Sequence, residues 1–371
     1  MKMSSHCRMA CIGLAVVVVA GGPVIAQTAP QKELTVVSWG GTYTRSQMLA
    51  YVKPYREANG EWVAMETYNG GLDEIRAQVE TENVVWDLVD FELADLIRGC
   101  REGLLEKLDH GTLPAGDDGT PAAQDFIPGA LTECGIGQTV WATVVAYNNE
   151  SFTTRPTKLA DFFDVKNFPG KRGVRRDPRI ILEWALMADG VALDKIYATL
   201  DTAAGQERAF DVLERIRTSL VFWTTGSEPV ALLESGEVAM TSVWNGRMFR
   251  PIVEQGKDYT IMWDGQIWDI DSWGVPKGTY NLSKALDFIR FATSSQQLAE
   301  QTKYISYGPA RKSAMALVDD KVKAMLPTAA SNTGNALQTD AVWWATHHAE
   351  LSSRFEKWLA QGGRGLSGSA R

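Results

Sequence analysis

Several features that mark common enzymes and metal proteins are missing from this chain of 371 residues. It has no GxSxG nucleophile elbow, no HExxH motif and no Walker A loop, which disfavours serine hydrolases, zinc proteases and P-loop NTPases. No CxxC pair exists, and His347 and His348, two of only 4 histidines, stand apart from any cysteine, so a zinc site is poorly supported. We therefore expect a protein that is not an enzyme and that uses no cofactor or metal.

Positive charge is also scarce. Lysine and arginine together number 37 against 45 acidic residues, which gives a formal net charge of -8. Because nucleic-acid phosphates demand basic patches, this balance disfavours a nucleic-acid partner. An acidic surface suits a cationic ligand, although it is also ordinary for a soluble protein.

Long apolar runs are confined to the start of the chain. Residues 1–26 place Lys2 and Arg8 before about a dozen apolar residues and end in a small-residue site, which is the order of a secretory signal peptide. The apolar run is shorter than the roughly 20 residues that span a bilayer. We predict cleavage after Ala26 and a periplasmic product, with an uncleaved membrane anchor as the alternative.

Cysteine is rare, and its distribution predicts one disulfide. Cys7 and Cys11 belong to the predicted signal peptide, so Cys100 and Cys134 remain in the mature chain. An even count in an oxidising compartment favours a bridge, which for this loop length stabilises the fold by about 3–4 kcal/mol. Two free buried thiols are the alternative.

Short apolar strands alternate with helical stretches, which predicts an α/β architecture with a mainly parallel sheet. About 345 mature residues exceed what one hydrophobic core usually serves, so two domains are expected. The predicted strands cover 34–38, 62–66, 86–90, 139–147 and 238–244. The predicted helices cover 43–59, 72–82, 159–163, 180–189, 205–219, 283–292, 295–302 and 339–360. The Gly/Ser-rich end at 362–371 predicts a flexible tail.

The stretch 265–276, GQIWDIDSWGVP, sets two aspartates among two tryptophans in a segment that otherwise has the pattern of a buried strand. A buried unpaired carboxylate costs several kcal/mol, so Asp269 and Asp271 should have partners or face a wet cavity. Because they are two residues apart, both project to one face of a regular strand, with Trp273 next in line. A bound cation would relieve their mutual repulsion.

Six segments in a fixed order resemble the periplasmic spermidine/putrescine-binding proteins of ABC transporters. They are the signal sequence, Ser38-Trp39, PGKRG at 169–173, VWNG at 243–246, WDIDSWGVP at 268–276 and SYGP at 306–309. The likeness covers nearly the whole mature chain. It implies a two-lobed periplasmic-binding-protein fold of the α/β class, with a ligand cleft at the hinge between lobes that close over the ligand. It places lobe 1 at 27–146 plus 272–310 and lobe 2 at 147–271 plus 311–361.

The resemblance also implies a set of ligand contacts. Asp271 matches the aspartate that holds an amine in these proteins, and Asp177 matches the aspartate that meets the far amine. Trp39, Trp244 and Tyr307 match aromatic residues of the cleft, which would cover the methylenes and stack on the ammonium groups. A tryptophan at a strand end is more often plain core, which is the alternative for Trp39 and Trp244.

Some positions depart from that family's pattern. Asp269 stands where tryptophan is frequent, so a charge replaces an aromatic wall unless Asp269 pairs with a nearby arginine or lysine. Ile180 stands where the family has glutamate, which argues against a long triamine. Glu92 falls where the family shows tyrosines and could supply the lost charge, whereas Asp90 is better explained as a helix cap or turn residue.

Arg247, directly after VWNG, replaces a small residue of the family. If it points into the cleft, its planar fork could clamp a ligand carboxylate, and the ligand would be zwitterionic, such as 4-aminobutyrate. If it pairs with Asp269 or Asp264, its role is structural. The structural interpretation is favoured at this level.

We therefore expect a monomeric receptor that binds a small cationic amine, putrescine or another polyamine, and delivers it to an inner-membrane ABC permease. A receptor for a zwitterionic amino acid such as 4-aminobutyrate, or for a sugar, is the alternative. A glycoside hydrolase is less well supported, although paired acids in an aromatic cleft would also suit that reaction.

Overall fold

The structure, a computed structural model, describes residues 33–362. The predicted signal peptide at 1–26 and the predicted tail beyond residue 362 lie outside this range. Across the described residues, no helix is both long and apolar enough to span a membrane.

A single mixed sheet organises the described part of the chain. Its strands are β1 (Leu34–Ser38), β2 (Val63–Thr67), β3 (Leu88–Glu92), β4 (Leu131–Thr132), β5 (Gly135–Asn148), β6 (Arg172–Arg175), β7 (Leu220–Trp223), β8 (Met240–Trp244), β9 (Tyr259–Gly274), β10 (Gly308–Pro309) and β11 (Leu337–Gln338). The main order across the sheet is β2-β1-β3-β9-β5-β8-β6-β7.

Two parallel groups flank an antiparallel centre. β1 pairs in parallel with β2 and β3, and β6 pairs in parallel with β7 and β8. The long strands β5 and β9 run antiparallel to each other, and each joins its outer group by an antiparallel pair. The prediction of a mainly parallel sheet therefore holds within each half and is wrong at the centre. There, the two long strands connect the halves.

The helices lie between these strands. They are α1 (Gly41–Gln47), α2 (Lys53–Asn59), α3 (Asp73–Glu80), α4 (Leu93–Arg101), α5 (Ala122–Asp125), α6 (Leu159–Phe163), α7 (Ile181–Ala188), α8 (Ile196–Leu200), α9 (Ala203–Ile216), α10 (Glu228–Glu234), α11 (Leu282–Ala292), α12 (Ser295–Gln301), α13 (Lys312–Met315), α14 (Asp320–Lys323) and α15 (Ala341–Gly362). A π-helical turn at Met48–Val52 joins α1 to α2, so the helix predicted at 43–59 is confirmed. Gly60 ends it in the left-handed conformation, at φ 71°, which glycine adopts without strain.

Three buried clusters make up the core of the described residues. One contains Leu34 and Phe288 and packs on the half of the sheet that holds β1. Ala314, Val318 and Leu326 belong to this same cluster, although the resemblance places residues 311–361 in lobe 2. A larger cluster extends from Val37 to Trp358 and includes the aromatic residues at the centre of the sheet. A smaller cluster contains Val144 and Val243.

The predicted disulfide is confirmed. Cys100 in the last turn of α4 is bonded to Cys134, directly before β5. The bridge fixes the helix that follows β3 to the start of the first long strand, and both of those strands lead to the centre of the sheet.

Candidate functional site

The carboxyl ends of strands from both halves of the sheet meet beside β5 and β9. β3 ends at Glu92, which lies opposite Asp271 of β9, and Trp39 and Trp244 come at the ends of β1 and β8. Open α/β sheets bind ligands at such strand ends. An internal cavity lies here, lined by Trp39, Tyr43, Glu92, Trp141, Trp244, Arg247, Asp271 and Tyr307.

Aromatic rings form most of the cavity wall. The ring of Trp244 lies edge-on to those of Trp39 and Trp141, with centroids 5.7 Å and 6.0 Å apart. Tyr43 and Tyr307 make a similar pair at 5.2 Å. The structure thus brings together the three aromatic residues expected in the cleft. Sequence reasoning missed Tyr43 and Trp141. Tyr43 lies at the start of a predicted helix and Trp141 lies in a β-prone run, and neither position by itself indicates a ligand contact.

Arg247 points into this centre and bridges the two halves through main-chain oxygens. Its Nη1 donates to the carbonyl of Gly40 at 2.7 Å and its Nη2 to the carbonyl of Trp39 at 3.1 Å. Its Nε is buried and has no acceptor among the described residues. Burial lowers the pKa of Arg247, while Tyr307, Tyr43 and Asp271 oppose that shift.

The ion pair predicted for a structural Arg247 is not formed. Asp264 instead accepts from the main-chain nitrogen of Leu159 at 2.7 Å and from the Asn335 amide at 2.9 Å. Within residues 33–362, no carboxylate lies within ion-pair distance of the Arg247 guanidinium. The charge of Arg247 is therefore available to the cavity.

Asp271 is the complementary group on the opposite side. It is 5% exposed, and its Oδ1 has no hydrogen-bond partner in the described part of the chain. Burial raises the pKa of Asp271 well above its usual range, and the nearby Asp90, Glu92 and Asp269 raise it further. A hydrogen bond from Tyr43 lowers it in part.

Asp269 is buried close by and lies opposite Trp141 of β5. Its Oδ1 accepts from the main-chain nitrogen of Ile270 at 2.8 Å, and burial raises its pKa well above the usual range. Trp273, expected next in line, packs against Phe288 at 6.1 Å in the outer core instead. It is therefore not part of the cavity wall.

Asp90 is a fully buried strand residue of β3, so the prediction of a cap or turn is wrong. The strand continues to Glu92, two residues past its predicted end, which places Asp90 inside the sheet. Its Oδ2 accepts from the Gln47 amide at 2.7 Å. Burial raises the pKa of Asp90 to about 7, although hydrogen bonds from Gln47, Tyr43 and Gln138 and the charge of Arg247 act against this.

Glu92 and Asp177 both meet arginines. The Glu92 Oε1 lies 2.5 Å from Arg175 Nη1, and its Oε2 lies 2.7 Å from Arg179 Nη1. Asp177 binds Arg179 through both oxygens, at 3.0 Å and 2.8 Å. Burial alone would raise the pKa of Asp177, but Arg179 and His348 more than offset it and hold the pKa well below its usual range.

The described residues offer no site for a metal ion, since no group of three or more histidine, cysteine, aspartate or glutamate side chains is suitably placed among them. The chemistry that the cavity can offer is recognition. Its lining combines the Arg247 guanidinium, the Asp271 carboxyl group and indole rings around a small space.

A family model described as "Bacterial extracellular solute-binding protein" matches residues 50–349. The chain belongs to this family. A γ-aminobutyric acid-binding protein of Pseudomonas aeruginosa is 38% identical over 336 residues, which cover 91% of this chain and 93% of that protein.

Solved structures of similar proteins share the fold. The Atu4243-GABA receptor is 32% identical with a TM-score of 0.77, over 88% of this chain and 97% of that chain. AgtB from A. tumefaciens R10, solved with agropinic acid, is 29% identical with a TM-score of 0.79, over 89% and 99% of the two chains. The predicted two-lobed α/β binding-protein fold is thereby confirmed.

The resemblance to spermidine/putrescine-binding proteins extends to the fold alone. PotD of Streptococcus pneumoniae, of that class, is 14% identical with a TM-score of 0.66, over 88% of this chain and 99% of that chain. The prediction of a non-catalytic solute-binding protein is confirmed by the family. A small-molecule ligand and an ABC transporter as partner follow from the same membership.

Proposed function

We propose that this protein is a periplasmic receptor of an ABC importer for a small zwitterionic amino acid such as 4-aminobutyrate. One observation carries the proposal. Among residues 33–362, the cavity wall presents buried hydrogen-bond donors without acceptors together with a buried carboxylate oxygen without a donor. A ligand that bears both a carboxylate and an ammonium group would complete both sets.

The donors suit a carboxylate. Arg247 Nε, Trp39 Nε1 and Trp141 Nε1 are all buried and have no acceptor among the described residues. Buried polar groups without partners are rare, and each calls for an explanation. Guanidinium groups bind carboxylates through strong, charge-assisted hydrogen bonds.

The acceptor suits an ammonium group. Asp271 Oδ1 has no partner within the described residues, and the indole of Trp141 lines the same cavity. A carboxylate and an indole face together attract a cation. The carboxylate would fix the position of the ligand's ammonium group, and the ring would exclude water from the ligand's methylene chain.

The cavity volume requires the lobes to move. The space between the lining side chains is about 10 Å³, which is about the room for one water molecule. A ligand of several heavy atoms therefore needs the halves of the sheet to separate and then to close around it. Domain closure about connecting strands is one of the common hinge motions of proteins.

The relatives support the same ligand class. Two of them carry γ-aminobutyric acid in their names, at 38% and 32% identity. We propose that the predicted signal peptide directs this chain to the periplasm, and that it acts there as a monomer that presents its closed form to an inner-membrane permease.

Isothermal titration calorimetry with a panel of ligands tests the proposal. The panel contains 4-aminobutyrate, its methyl ester, putrescine, spermidine and maltose. We expect 4-aminobutyrate to bind best, and the methyl ester, which lacks the carboxylate charge, to lose about a hundred-fold in affinity because Arg247 is left unpaired.

Thermal shift gives an independent readout. 4-Aminobutyrate at about a hundred times its dissociation constant should stabilise the protein by about 2.7 kcal/mol. Binding of putrescine with higher affinity than 4-aminobutyrate would contradict the proposal in favour of a diamine receptor. Binding of maltose alone would contradict both.

A further inference from the structure

We propose that Arg175 and Arg179 limit the cavity to a single ammonium group by neutralising Glu92, so that diamines are excluded. This inference rests on the proposed function and concerns its specificity. The residues involved, Glu92, Asp95, Arg98, Arg175, Asp177 and Arg179, are called the arginine cluster below.

In the described part of the chain, two acids line the cavity, and one of them has no arginine partner. Asp271 and Glu92 both line the cavity and lie opposite each other on β9 and β3. Each Glu92 oxygen meets a separate guanidinium, at 2.5 Å and 2.7 Å. The side chain of Glu92 is 5% exposed, so these two ion pairs are shielded from water. Arginines of the protein itself thus neutralise the charge of Glu92.

Arg175 also occupies the place that a second ammonium would take. Its guanidinium carbon lies 5.7 Å from the ring centroid of Trp39 and 5.2 Å from that of Trp244. These are cation–π distances. A resident guanidinium therefore covers the aromatic surface on this side and repels any second ligand cation.

Arg179 holds the cluster in position across the sheet. It bonds Asp177 through Nε and Nη2 and lies 3.5 Å from Asp95 of α4. The next residue, Ile180, has a φ of 73°, a left-handed conformation that is strained for a β-branched side chain. Such strain persists where the surroundings over-determine the backbone, often at functional sites.

The six residues of the arginine cluster are balanced in formal charge. Asp95 also pairs with Arg98 at 3.3 Å, so three acids face three arginines. His348 lies 3.5 Å from Asp177. Glu92 and Asp177, the acids predicted to meet a second amine, are therefore paired with arginines. Of the two acids on the described cavity wall, Asp271 is the one without an arginine partner.

The test measures putrescine and 4-aminobutyrate affinities of three variants of the full mature chain by calorimetry. Arg175→Gln removes the charge and frees one oxygen of Glu92. We expect its ratio of putrescine to 4-aminobutyrate affinity to rise by about ten-fold or more over wild type, since a freed buried carboxylate attracts the second ammonium. The double variant Arg175→Gln/Glu92→Gln lacks that carboxylate and should return the ratio to the wild-type value.

If the role of Arg175 were purely structural, Arg175→Gln would bind both ligands more weakly by the same factor. The affinity ratio would then be unchanged, and this result would overturn the inference. The single variant Arg179→Gln keeps the test decisive if Arg175→Gln does not fold, because it frees the other oxygen of Glu92. It should raise the same affinity ratio. An unchanged ratio in Arg179→Gln would also overturn the inference.

Failure of the proposed function is distinguishable from failure of this inference. Wild-type protein that does not bind 4-aminobutyrate removes the basis of both. Wild-type protein that binds it, with no change of ratio in Arg175→Gln, removes the inference alone.

Discussion

At the scale of single residues, Asp271 is a carboxyl group in surroundings that disfavour its ionised form. It is buried beside Asp90, Glu92 and Asp269, with burial as the main cause of its raised pKa. A folded-state pKa above the unfolded value means that this group supports folding below pH about 4 and that this support is lost as pH rises toward the folded pKa. In the proposed function, this carboxylate is the partner of the ligand's ammonium group.

Replacing Asp271 by asparagine should therefore have opposite effects on binding and on stability. We expect Asp271→Asn to lower 4-aminobutyrate affinity by about a hundred-fold or more, because the ammonium loses its charged partner. In the absence of ligand at pH 8, the same variant should be more stable than wild type by about 1–3 kcal/mol. Urea unfolding and calorimetry measure the two effects.

The stability gain should shrink as pH falls toward the unfolded pKa of about 4, because a raised folded-state pKa costs stability only above that value. The matched control is Asp194→Asn, at a side chain that is 72% exposed, which should change neither property. Loss of stability in Asp271→Asn at pH 8 would contradict the assignment of Asp271 as an unpaired buried acid.

At the scale of elements, the two long strands make the site possible. β9 presents Asp269 and Asp271 between β3 on one side and β5 on the other, and β8 places Trp244 opposite Thr143 of β5. Because these pairings are fixed by main-chain hydrogen bonds, residues from the two halves meet at one point. The disulfide fixes the approach to this point from α4.

The disulfide should stabilise the fold without shaping the cavity. Replacing both Cys100 and Cys134 by serine is expected to lower the free energy of unfolding by about 3–4 kcal/mol, because the unfolded chain regains the freedom of the closed loop. The affinity for 4-aminobutyrate should stay within about two-fold, since neither residue lines the cavity. Urea unfolding of oxidised wild type and of the variant, with calorimetry on each, measures this.

Reduced wild-type protein serves as the control for the substitutions themselves, because it breaks the same bond with the native side chains present. A large loss of affinity with unchanged stability would mean that the bridge positions the ligand contacts, contrary to this expectation.

At the scale of the whole molecule, we expect ligand binding and lobe closure to be linked to protonation. In this structure Asp271 has a raised pKa, and the pKa of Asp90 is raised to about 7. An ammonium group favours the ionised form of a carboxyl beside it. Closure around 4-aminobutyrate should therefore displace a proton from this pair of acids.

We expect the affinity for 4-aminobutyrate to increase as pH rises from 5 to 8, because the proton and the ammonium compete for the same carboxylate. Over this range the ligand itself keeps its charges, since its groups resemble those of lysine and glutamate with pKa values of about 10 and about 4. Calorimetry at pH 6 in buffers of different ionisation enthalpy should detect the released proton.

Asp271→Asn is the control, because its residual binding should release fewer protons and lose much of the pH dependence. Equal affinity at pH 5 and pH 8 in wild type would mean that these acids are already ionised before the ligand arrives.

Local sequence patterns predicted much of the fold. The strand Leu34–Ser38 and the helix Leu159–Phe163 lie where predicted, because hydrophobic periodicity and turn residues act over a few positions. β6 and β7, of four residues each, were missed because so short a run shows no clear period. Trp39, Trp244 and Tyr307 were placed at the cleft through a resemblance in ordered motifs, and the structure brings them together.

The sequence by itself determined the α/β class, the disulfide and the kinds of side chain available to the cleft, since all of these depend on composition and on neighbours along the chain. Only the tertiary structure decided which charged side chains have an ion-pair partner and which do not. Arg175 meets Glu92 across 83 positions of sequence, and Arg247 reaches the carbonyl of Gly40 across 207. Charge pairing depends on distance in space, and that distance exists only once the strands have been joined into one sheet.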